Sequence, residues 1–329
     1  MAQQLYHEPD IYQIQVDLPG NPLRYLNSYV IKGRTRNLVI DTGFNRPECR
    51  QSLWSGLEEL KLDLSKTDLF LTHLHSDHTG LVGDFVKQGC TVYMGDTDYH
   101  YVQESATGSN WHKLEQRFID EGMPVESIEQ QRDNQARMHR PDPHFQAVIV
   151  HDGDVLHLAD EDFHVVHTPG HTKGLCCLYL PEPQIFFSSD HILFDITPNI
   201  TIWNNMKHAL HVYLSSLDKV RDLPVKLVLP GHRKGDTSMA FRVDAIKAHH
   251  AKRLAEVVTI AKTHPHSTAY ELASHMTWSM RGKKWEEFPP TQKWFAMGEA
   301  LSHVEYLVDA GRLVPQAEDG KITYGVAQK

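Results

Sequence analysis

The sequence has few cysteines and no long apolar run, and both absences exclude classes of protein. Only four cysteines occur among 329 residues, and two of them, Cys176 and Cys177, are adjacent. Four thiols are too few to stabilise a chain of this size through disulfide bonds. We therefore predict that the cysteines are reduced and that the protein is cytoplasmic. No run reaches the roughly 18 apolar residues that a membrane helix needs. The first residues also lack the basic and apolar regions of a secretory signal, and we expect no membrane partner.

An excess of positive charge is also missing. The chain carries 33 Lys and Arg against 42 Asp and Glu, a formal net charge of −9. This balance argues against a protein whose whole surface binds nucleic acid, although it leaves room for a local basic patch. Residues 244–329 hold 11 basic and 10 acidic residues, and their basic turn is Arg281-Gly282-Lys283-Lys284. Nucleic acid is therefore not the expected partner.

Histidine, by contrast, is abundant, with 23 in the chain. It is the commonest metal ligand, and several histidines cluster in the stretch Thr72–Gly80, directly after a predicted strand. His73 and His75 are two residues apart at the strand end, so their side chains can point to one side. The following turn can bring Asp77 and His78 to the same point. Three imidazoles and one carboxylate within six residues favour two borderline cations over one.

The chain divides into two parts with different patterns. Over residues 1–243, short apolar runs alternate with helical stretches, which predicts packed sheets and helices. Residues 95–146 interrupt this alternation, and we interpret them as a helical insertion over one face of the core. Residues 244–329 predict three helices and then a hairpin, which is the order of a winged helix. Thr268 and Glu271 give the capping-box pattern of the second of these helices.

The His-x-His-x-Asp-His motif of residues 73–78 resembles the signature of the metallo-β-lactamase fold hydrolases. Further motifs of that family follow in its order: Asp41 in an Ile-Asp-Thr-Gly stretch, His171 in Pro-Gly-His-Thr, Asp190 after a strand, and His232 in Pro-Gly-His. The resemblance covers residues 1–243. It implies an α+β fold, the αββα metallo-β-lactamase sandwich, with a C-terminal winged-helix-like α/β domain over residues 244–329.

The resemblance also implies a role for each motif residue. His73, His75 and His171 would bind one divalent metal ion, Asp77, His78 and His232 would bind a second, and Asp190 would bridge the two. Asp41 would lie behind the ligands and hold their loops. Asp77 would also have a catalytic role, orienting the hydroxide nucleophile. The expected cofactors are two divalent ions, zinc first, with iron or manganese as alternatives.

Two residue identities narrow the function within this family. Most true β-lactamases of the fold lack aspartate at the bridging position, so Asp190 argues against antibiotic hydrolysis. The flavodiiron branch has a carboxylate at the position of His75, so the histidine favours hydrolysis over oxygen reduction. We predict a glyoxalase II-like or β-lactamase-like hydrolase that uses a metal-bridging hydroxide on a small ester, thioester or lactone. A single-strand endoribonuclease or phosphodiesterase, and a mononuclear iron enzyme of the persulfide dioxygenase type, stay open as alternatives.

The substrate pocket and the oligomer are less well specified. Every motif residue follows a strand, so the insertion and the C-terminal part both leave the core near the expected metals. We predict that these two segments shape the pocket and that their aromatic residues supply its apolar walls: Trp111, Phe118, Trp285, Phe288 and Trp294. The expected partner is a small-molecule substrate, and a homodimer stays open.

Overall fold

Two β-sheets packed face to face form the centre of the protein. The computed structural model describes residues 1–105, 109–204, 206–235, 238–280 and 282–327. Arg281 of the predicted basic turn and residues 106–108 of the predicted insertion lie outside this part. The first sheet contains seven strands that are neighbours in chain order: β1 (Ala2–His7), β2 (Asp10–Asp17), β3 (Tyr25–Lys32), β4 (Asn37–Ile40), β5 (Thr67–Leu71), β6 (Thr91–Gly95) and β7 (Val148–Val150). Pairing is antiparallel from β1 to β4 and parallel from β4 to β7.

The second sheet has the spatial order β12-β11-β10-β9-β8. Its strands are β8 (Val155–Leu158), β9 (Glu161–His167), β10 (Cys176–Leu180), β11 (Ile185–Ser189) and β12 (Leu227–Pro230). Strands β5, β10 and β11 are buried along their whole length, because other layers cover both faces of the sheets. Phe70 of the first sheet and Phe163 and Phe187 of the second belong to the apolar cluster between the sheets.

Helices cover the outer face of each sheet. In the first 235 residues they are α1 (Pro47–Glu59), α2 (Ser76–Thr79), α3 (Val82–Lys87), α4 (Asp96–Glu104), α5 (Ser109–Asp120), α6 (Val125–Glu129), α7 (Gln135–Met138) and α8 (Ala209–Arg221). Leu53 of α1 and Phe85 of α3 pack with the outer face of the first sheet. Leu217 of α8 belongs to the cluster on the outer face of the second. The predicted αββα sandwich is therefore confirmed.

The C-terminal part follows the predicted order of helices and hairpin. Its elements are α9 (Met239–Thr263), β13 (Ser267–Thr268), α10 (Ala269–His275), α11 (Pro290–Asp309), β14 (Leu313–Glu318) and β15 (Lys321–Val326), and the strands form a third sheet in the order β13-β15-β14. Asp319 and Gly320 turn the hairpin with φ of 48° and 78°, as a two-residue turn between twisted strands requires. The winged-helix interpretation stays a prediction.

Helix α9 begins earlier than the sequence predicted. Ser238 caps it by accepting the N–H of Phe241, so the helix starts at Met239 and not at Asp244. The predicted division after residue 243 therefore falls inside a continuous helix, and the division into two domains stays a prediction.

The insertion and the C-terminal part share one apolar cluster with the second sheet. Phe118 of α5 and Trp294 of α11 have ring centroids 4.4 Å apart. Phe118, Phe288 and Trp294 are at most 7% exposed. The prediction that aromatic residues of these segments line a pocket is therefore wrong for these three. Phe118 and Trp294 pack the two segments together, and Phe288 packs against Trp285 within the C-terminal part.

Two further expectations concern thiols and membranes. All four cysteines are free and buried, which agrees with the prediction of reduced thiols. In the part of the chain that the structure describes, no helix combines the length and apolarity needed to span a bilayer.

Candidate metal centre

The predicted site residues meet at one edge of the sandwich. Asp41 follows β4, the motif of residues 73–78 follows β5, and His171 lies in the loop after β9. Asp190 and His232 follow β11 and β12, which run parallel to each other. All five segments start at the carboxyl ends of strands, the edge where sheets of this kind place their ligands. Here the structure brings together all seven residues that the resemblance implies as metal ligands.

Three histidines form the first cluster, which we call the three-histidine set: His73, His75 and His171. Nδ1 of His75 lies 3.0 Å from Nε2 of His73 and 3.0 Å from Nε2 of His171. Three nitrogens at this spacing converge on one point, as the ligands of a tetrahedral metal do. His73 and His75 share the loop after β5, and His171 lies about 100 positions later in the loop after β9 of the other sheet, so the packing of the two sheets brings them together.

Asp77, His78 and His232 form a second cluster, which we call the mixed set. Nε2 of His232 lies 3.4 Å from Oδ2 of Asp77, and the three ligand-type atoms of the set lie within 4.8 Å of one another. Asp190 lies between the two sets. Its Oδ2 is 3.6 Å from Nε2 of His171 and 3.5 Å from Nε2 of His232. One carboxylate oxygen therefore reaches a nitrogen of each set.

Hydrogen bonds on the far side of the rings fix how the imidazoles point. Nδ1 of His171 lies 2.8 Å from the carbonyl of Asn199, and Nδ1 of His232 lies 2.9 Å from the carbonyl of Tyr25. A carbonyl only accepts, so both Nδ1 atoms carry the proton. The Nε2 lone pairs are therefore free and face the centre of the site, as metal ligands require.

Asp41 and Thr72 orient two more rings. The carboxylate of Asp41 lies 2.7 Å from Nδ1 of His78 and accepts the hydroxyl of Thr72 at 2.7 Å. Because the Thr72 hydroxyl donates its hydrogen bond to Asp41, its oxygen is left as an acceptor. That oxygen accepts from Nδ1 of His73 at 3.0 Å and from the Ser189 hydroxyl at 2.7 Å. Asp41 thus contacts His78 and Thr72 from the side away from the centre of the site, and its role in holding the ligand loops stays a prediction.

The protonation states in the three-histidine set favour metal binding. Burial first, and then the neighbouring imidazoles, lower the pKa of His73 well below its ordinary value and that of His75 to about 3. These rings are therefore neutral and available as donors near neutral pH. Burial by itself raises the pKa of Asp190, but His232 and His78 outweigh it and hold that pKa well below its usual range.

The mixed set attracts positive charge. Burial by itself lowers the pKa of His78, but the carboxylates of Asp41, Asp190 and Asp77 outweigh it and raise that pKa well above its ordinary value. A place where three buried carboxylates stabilise a proton also suits a cation, which would replace that proton.

Buried polar atoms at the centre support the same conclusion. Nε2 of His78, Nε2 of His232 and Oδ1 of Asp190 are buried and have no hydrogen-bond partner among the described residues. Such atoms are costly unless a ligand satisfies them. The residues present therefore fit divalent cations. Gly231 keeps the space open, because a Cβ there would lie 2.5 Å from Oδ1 of Asp190.

Sequence reasoning missed three residues that support this site. Asp98 of α4 is fully buried and accepts the backbone N–H groups of Leu74 and Gly174, so it joins the two loops of the three-histidine set. Its position just after β6 was the available signal. Trp203 donates its indole N–H to the carbonyl of His171. Trp203 and Asn199 lie in a stretch without regular periodicity, where no local signal marks them.

The comparisons with known proteins agree with this geometry. A beta-lactamase-like protein 2 homolog of Caenorhabditis elegans is 24% identical over 269 residues, 79% of this chain and 74% of that protein. The human acyl-coenzyme A thioesterase MBLAC2 is 29% identical over 221 residues, 63% of this chain and 72% of that protein. The atrochrysone carboxyl ACP thioesterase of Aspergillus fumigatus is 26% identical, over 68% of this chain and 59% of that protein.

Solved structures extend the similarity to nearly the whole chain. A metallo-beta-lactamase family protein of Thermus thermophilus superposes with a TM-score of 0.79 at 27% identity, over 96% of this chain and 98% of the other. A beta-lactamase domain protein of Burkholderia ambifaria shares the fold, with a TM-score of 0.85 at 23% identity, over 99% and 94% of the two chains. The family profile described as the metallo-beta-lactamase superfamily matches residues 22–232. The chain therefore belongs to the metallo-beta-lactamase superfamily.

Proposed function

We propose that the chain is a metal-dependent hydrolase that cleaves the thioester between an acyl group and a small carrier thiol. The observation that carries the proposal is the position of Asp190, whose Oδ2 lies 3.6 Å from His171 and 3.5 Å from His232. A carboxylate that reaches both sets suits two cations held side by side. The names of the human and Aspergillus relatives, both thioesterases, support a thioester over an ester or lactone.

In this proposal the three-histidine set and the mixed set would each hold one divalent ion, with Asp190 as a ligand available to both sets. Imidazole and carboxylate donors suit zinc, with iron and manganese as the other candidates. When bound, such ions would lower the pKa of a coordinated water toward neutrality and so supply a nucleophile for the acyl carbonyl.

The chain's own residues orient the reactants. His171 and His232 present Nε2 because their Nδ1 protons are bound to carbonyls. Burial by itself raises the pKa of Asp77, but His78 and His232 outweigh it and lower that pKa to about 2. Asp77 is thus an ionised acceptor at neutral pH, and we assign it the orientation of the attacking water.

Aromatic side chains beside His75 supply a surface for the acyl group. The Trp203 ring lies 5.7 Å from the His75 ring, and the Tyr101 ring meets Trp203 edge-on at 5.5 Å. Both aromatic residues are half-buried. An apolar wall at the rim of a polar centre suits an acyl chain better than a phosphodiester backbone.

The test compares substrate classes on the same preparation. The protein is purified, its zinc, iron and manganese content is measured, and turnover is followed with acyl-coenzyme A thioesters, lactones, a phosphodiester and single-stranded RNA. We expect thioester hydrolysis that a chelator abolishes and added zinc restores. In Asp190→Asn, metal content and turnover should fall together, whereas Asp222→Asn, at a side chain 82% exposed, should match the parent.

Three results would contradict the proposal. One is undiminished thioester turnover in metal-free protein. Another is cleavage of RNA or the phosphodiester without cleavage of thioesters. The third is full metal content in Asp190→Asn, which would remove Asp190 from the site.

A further inference from the structure

The residues that follow Asp190 hold His171 at two points. We call them the 191–204 segment, and they form no helix or regular strand. The carbonyl of Asn199 accepts the Nδ1 proton of His171 at 2.8 Å. Four residues later, the indole N–H of Trp203 donates to the backbone carbonyl of His171 at 3.0 Å. The direction of this imidazole therefore depends on where the 191–204 segment lies.

One face of helix α11 in the C-terminal part holds that segment. The side-chain amide of Asn199 donates to the carbonyl of Phe295 and to Oε2 of Glu299, both at 3.2 Å. The hydroxyl of Ser302 donates to the carbonyl of Ile200 at 2.6 Å. Positions 295, 299 and 302 recur at helical spacing and share one face of α11.

Close packing fixes the contact further. A Cβ at Gly298 would lie 2.1 Å from Oγ1 of Thr201, so the backbone of α11 meets the segment directly at this point. Glu299 is itself held within the C-terminal part, because Nε of Arg253 on α9 lies 3.6 Å from its Oε1. The chain of contacts runs from α9 through Glu299 and Asn199 to His171.

We propose that α11 positions His171 for metal binding, with Asn199 and Glu299 as the positioning residues. The inference rests on the proposed metal role of the three-histidine set and adds what controls its affinity. An imidazole binds metal well only when its far nitrogen is held, and disturbing such a partner costs about 10–100-fold in metal affinity. The C-terminal part thereby acts on the metal centre without contributing a ligand to it.

Another contact of the same helix provides a comparison. Glu305 of α11 pairs with Arg117 of α5 at 3.2 Å, which joins the helix to the insertion and not to the 191–204 segment. If α11 only packs against its neighbours, changes at the Glu299 and Glu305 contacts should affect zinc affinity equally. If α11 positions His171, changes at the contact of Glu299 with Asn199 should lower that affinity, and changes at the Glu305 contact should not.

The test reverses one hydrogen bond and measures metal affinity. In Asn199→Asp a carboxylate faces Glu299 and the Phe295 carbonyl, so the contact becomes repulsive. Adding Glu299→Gln supplies an amide that donates to the new carboxylate and restores the bond with donor and acceptor exchanged. Glu305→Gln is the matched control. Zinc dissociation constants of both sites are measured by chelator competition, and cobalt-substituted protein reports ligand geometry by visible absorption.

We expect Asn199→Asp to weaken one of the two zinc sites by about 10–100-fold and to change the cobalt spectrum. The double variant should recover much of that loss, and Glu305→Gln should bind zinc like the parent. The added negative charge by itself would strengthen cation binding, so a loss of affinity cannot come from charge alone.

Two outcomes would overturn the inference. Parental zinc affinities in folded Asn199→Asp would show that α11 only packs against the segment, and an equal loss in Glu305→Gln would show the same. If Asn199→Asp does not fold, Ser302→Ala makes a smaller change to the same contact and must still weaken one site. Failure of the proposed function is seen separately: without a metal centre the parent protein would bind no zinc, and a different substrate class would change turnover but not these zinc affinities.

Discussion

Oδ2 of Asp41 lies 2.7 Å from Nδ1 of His78, and both side chains are buried. The same carboxylate also accepts the backbone N–H and the hydroxyl of Thr72, at 2.9 and 2.7 Å. Three donors thus surround one carboxylate at the end of β4. Asp41 reaches them with a φ of 61°, a left-handed conformation that Asp and Asn tolerate better than other residues with a side chain.

Asp41→Asn should therefore impair metal binding without disturbing the backbone. The amide must direct its NH₂ at one of the three donors, so one hydrogen bond becomes a donor–donor contact. We expect the zinc affinity of the mixed set to fall by about 10–100-fold, as measured by chelator competition. Asp160→Asn is the matched control, because Asp160 has a φ of 64° and its carboxylate bonds Arg34 at the surface. Equal zinc affinities in both variants would refute this role of Asp41.

Trp203 offers a second test, because its ring and its N–H face different groups. Trp203→Phe keeps an aromatic ring beside His75 but loses the bond to the His171 carbonyl, worth about 0.5–1.5 kcal/mol. Trp203→Ala loses both. If the ring forms the acyl-binding wall, KM for long-chain thioesters should rise more in the Ala variant than in the Phe variant, and short-chain substrates should change least. A KM that is independent of chain length in Trp203→Ala would refute the acyl wall.

The expected ligands could be found in the sequence because their signals are local. Four of the seven lie within residues 73–78, directly after an apolar strand, and His171, Asp190 and His232 also follow strands or the loops after them. A strand end is marked by where an apolar run stops, and it fixes where the next side chains lie. The apolar runs Leu69-Phe70-Leu71 and Ile185-Phe186-Phe187, for example, lie within β5 and β11.

The supporting residues carry no such local signal. Asn199 lies 28 positions from His171 and 100 positions from Glu299 along the chain. These residues therefore come into contact only once the C-terminal part has packed against the core. Strands β1 and β2 also lack a continuous apolar run that would mark them, because they contain many polar residues and β1 lies at a sheet edge. The role of the aromatic residues was misjudged for a related reason. The sequence shows that Trp294 is an apolar residue, but it does not show which part of the protein packs against its side chain.

Trp294→Ala should destabilise the whole molecule. The indole is 6% exposed and packs against Phe118 of the insertion, so its removal leaves a cavity in the shared cluster. We expect a loss of about 3–5 kcal/mol in the free energy of unfolding, measured with urea. Trp285→Ala is the control, because this half-buried indole contacts Tyr270 and Phe288 within the C-terminal part and should cost less. An equal loss in both variants would contradict a shared core.

The buried carboxyl group of Asp98 should make the free energy of unfolding depend on pH. Burial raises the pKa of its carboxyl to about 6, although hydrogen bonds from Thr172, Leu74 and Gly174 act in the opposite direction. The ordinary value is 3.8, so the folded state binds this proton more tightly than the unfolded chain. The stabilisation by the protonated carboxyl is therefore fully present below about pH 4 and is lost as the pH rises through 6.

Asp98→Asn should remove that dependence. The amide has no proton to lose, so the difference in unfolding free energy between the variant and the parent should shift in favour of the variant by roughly 3 kcal/mol at most between pH 4 and pH 7. A constant cost will accompany this shift, because an amide NH₂ must face one of the N–H or O–H donors around Asp98. The informative quantity is thus the slope of the difference with pH and not its sign at one pH. Urea unfolding of both proteins with chelator present gives this slope free of metal release, and a difference that stays flat from pH 4.5 to 7.5 would show that Asp98 does not titrate in this range.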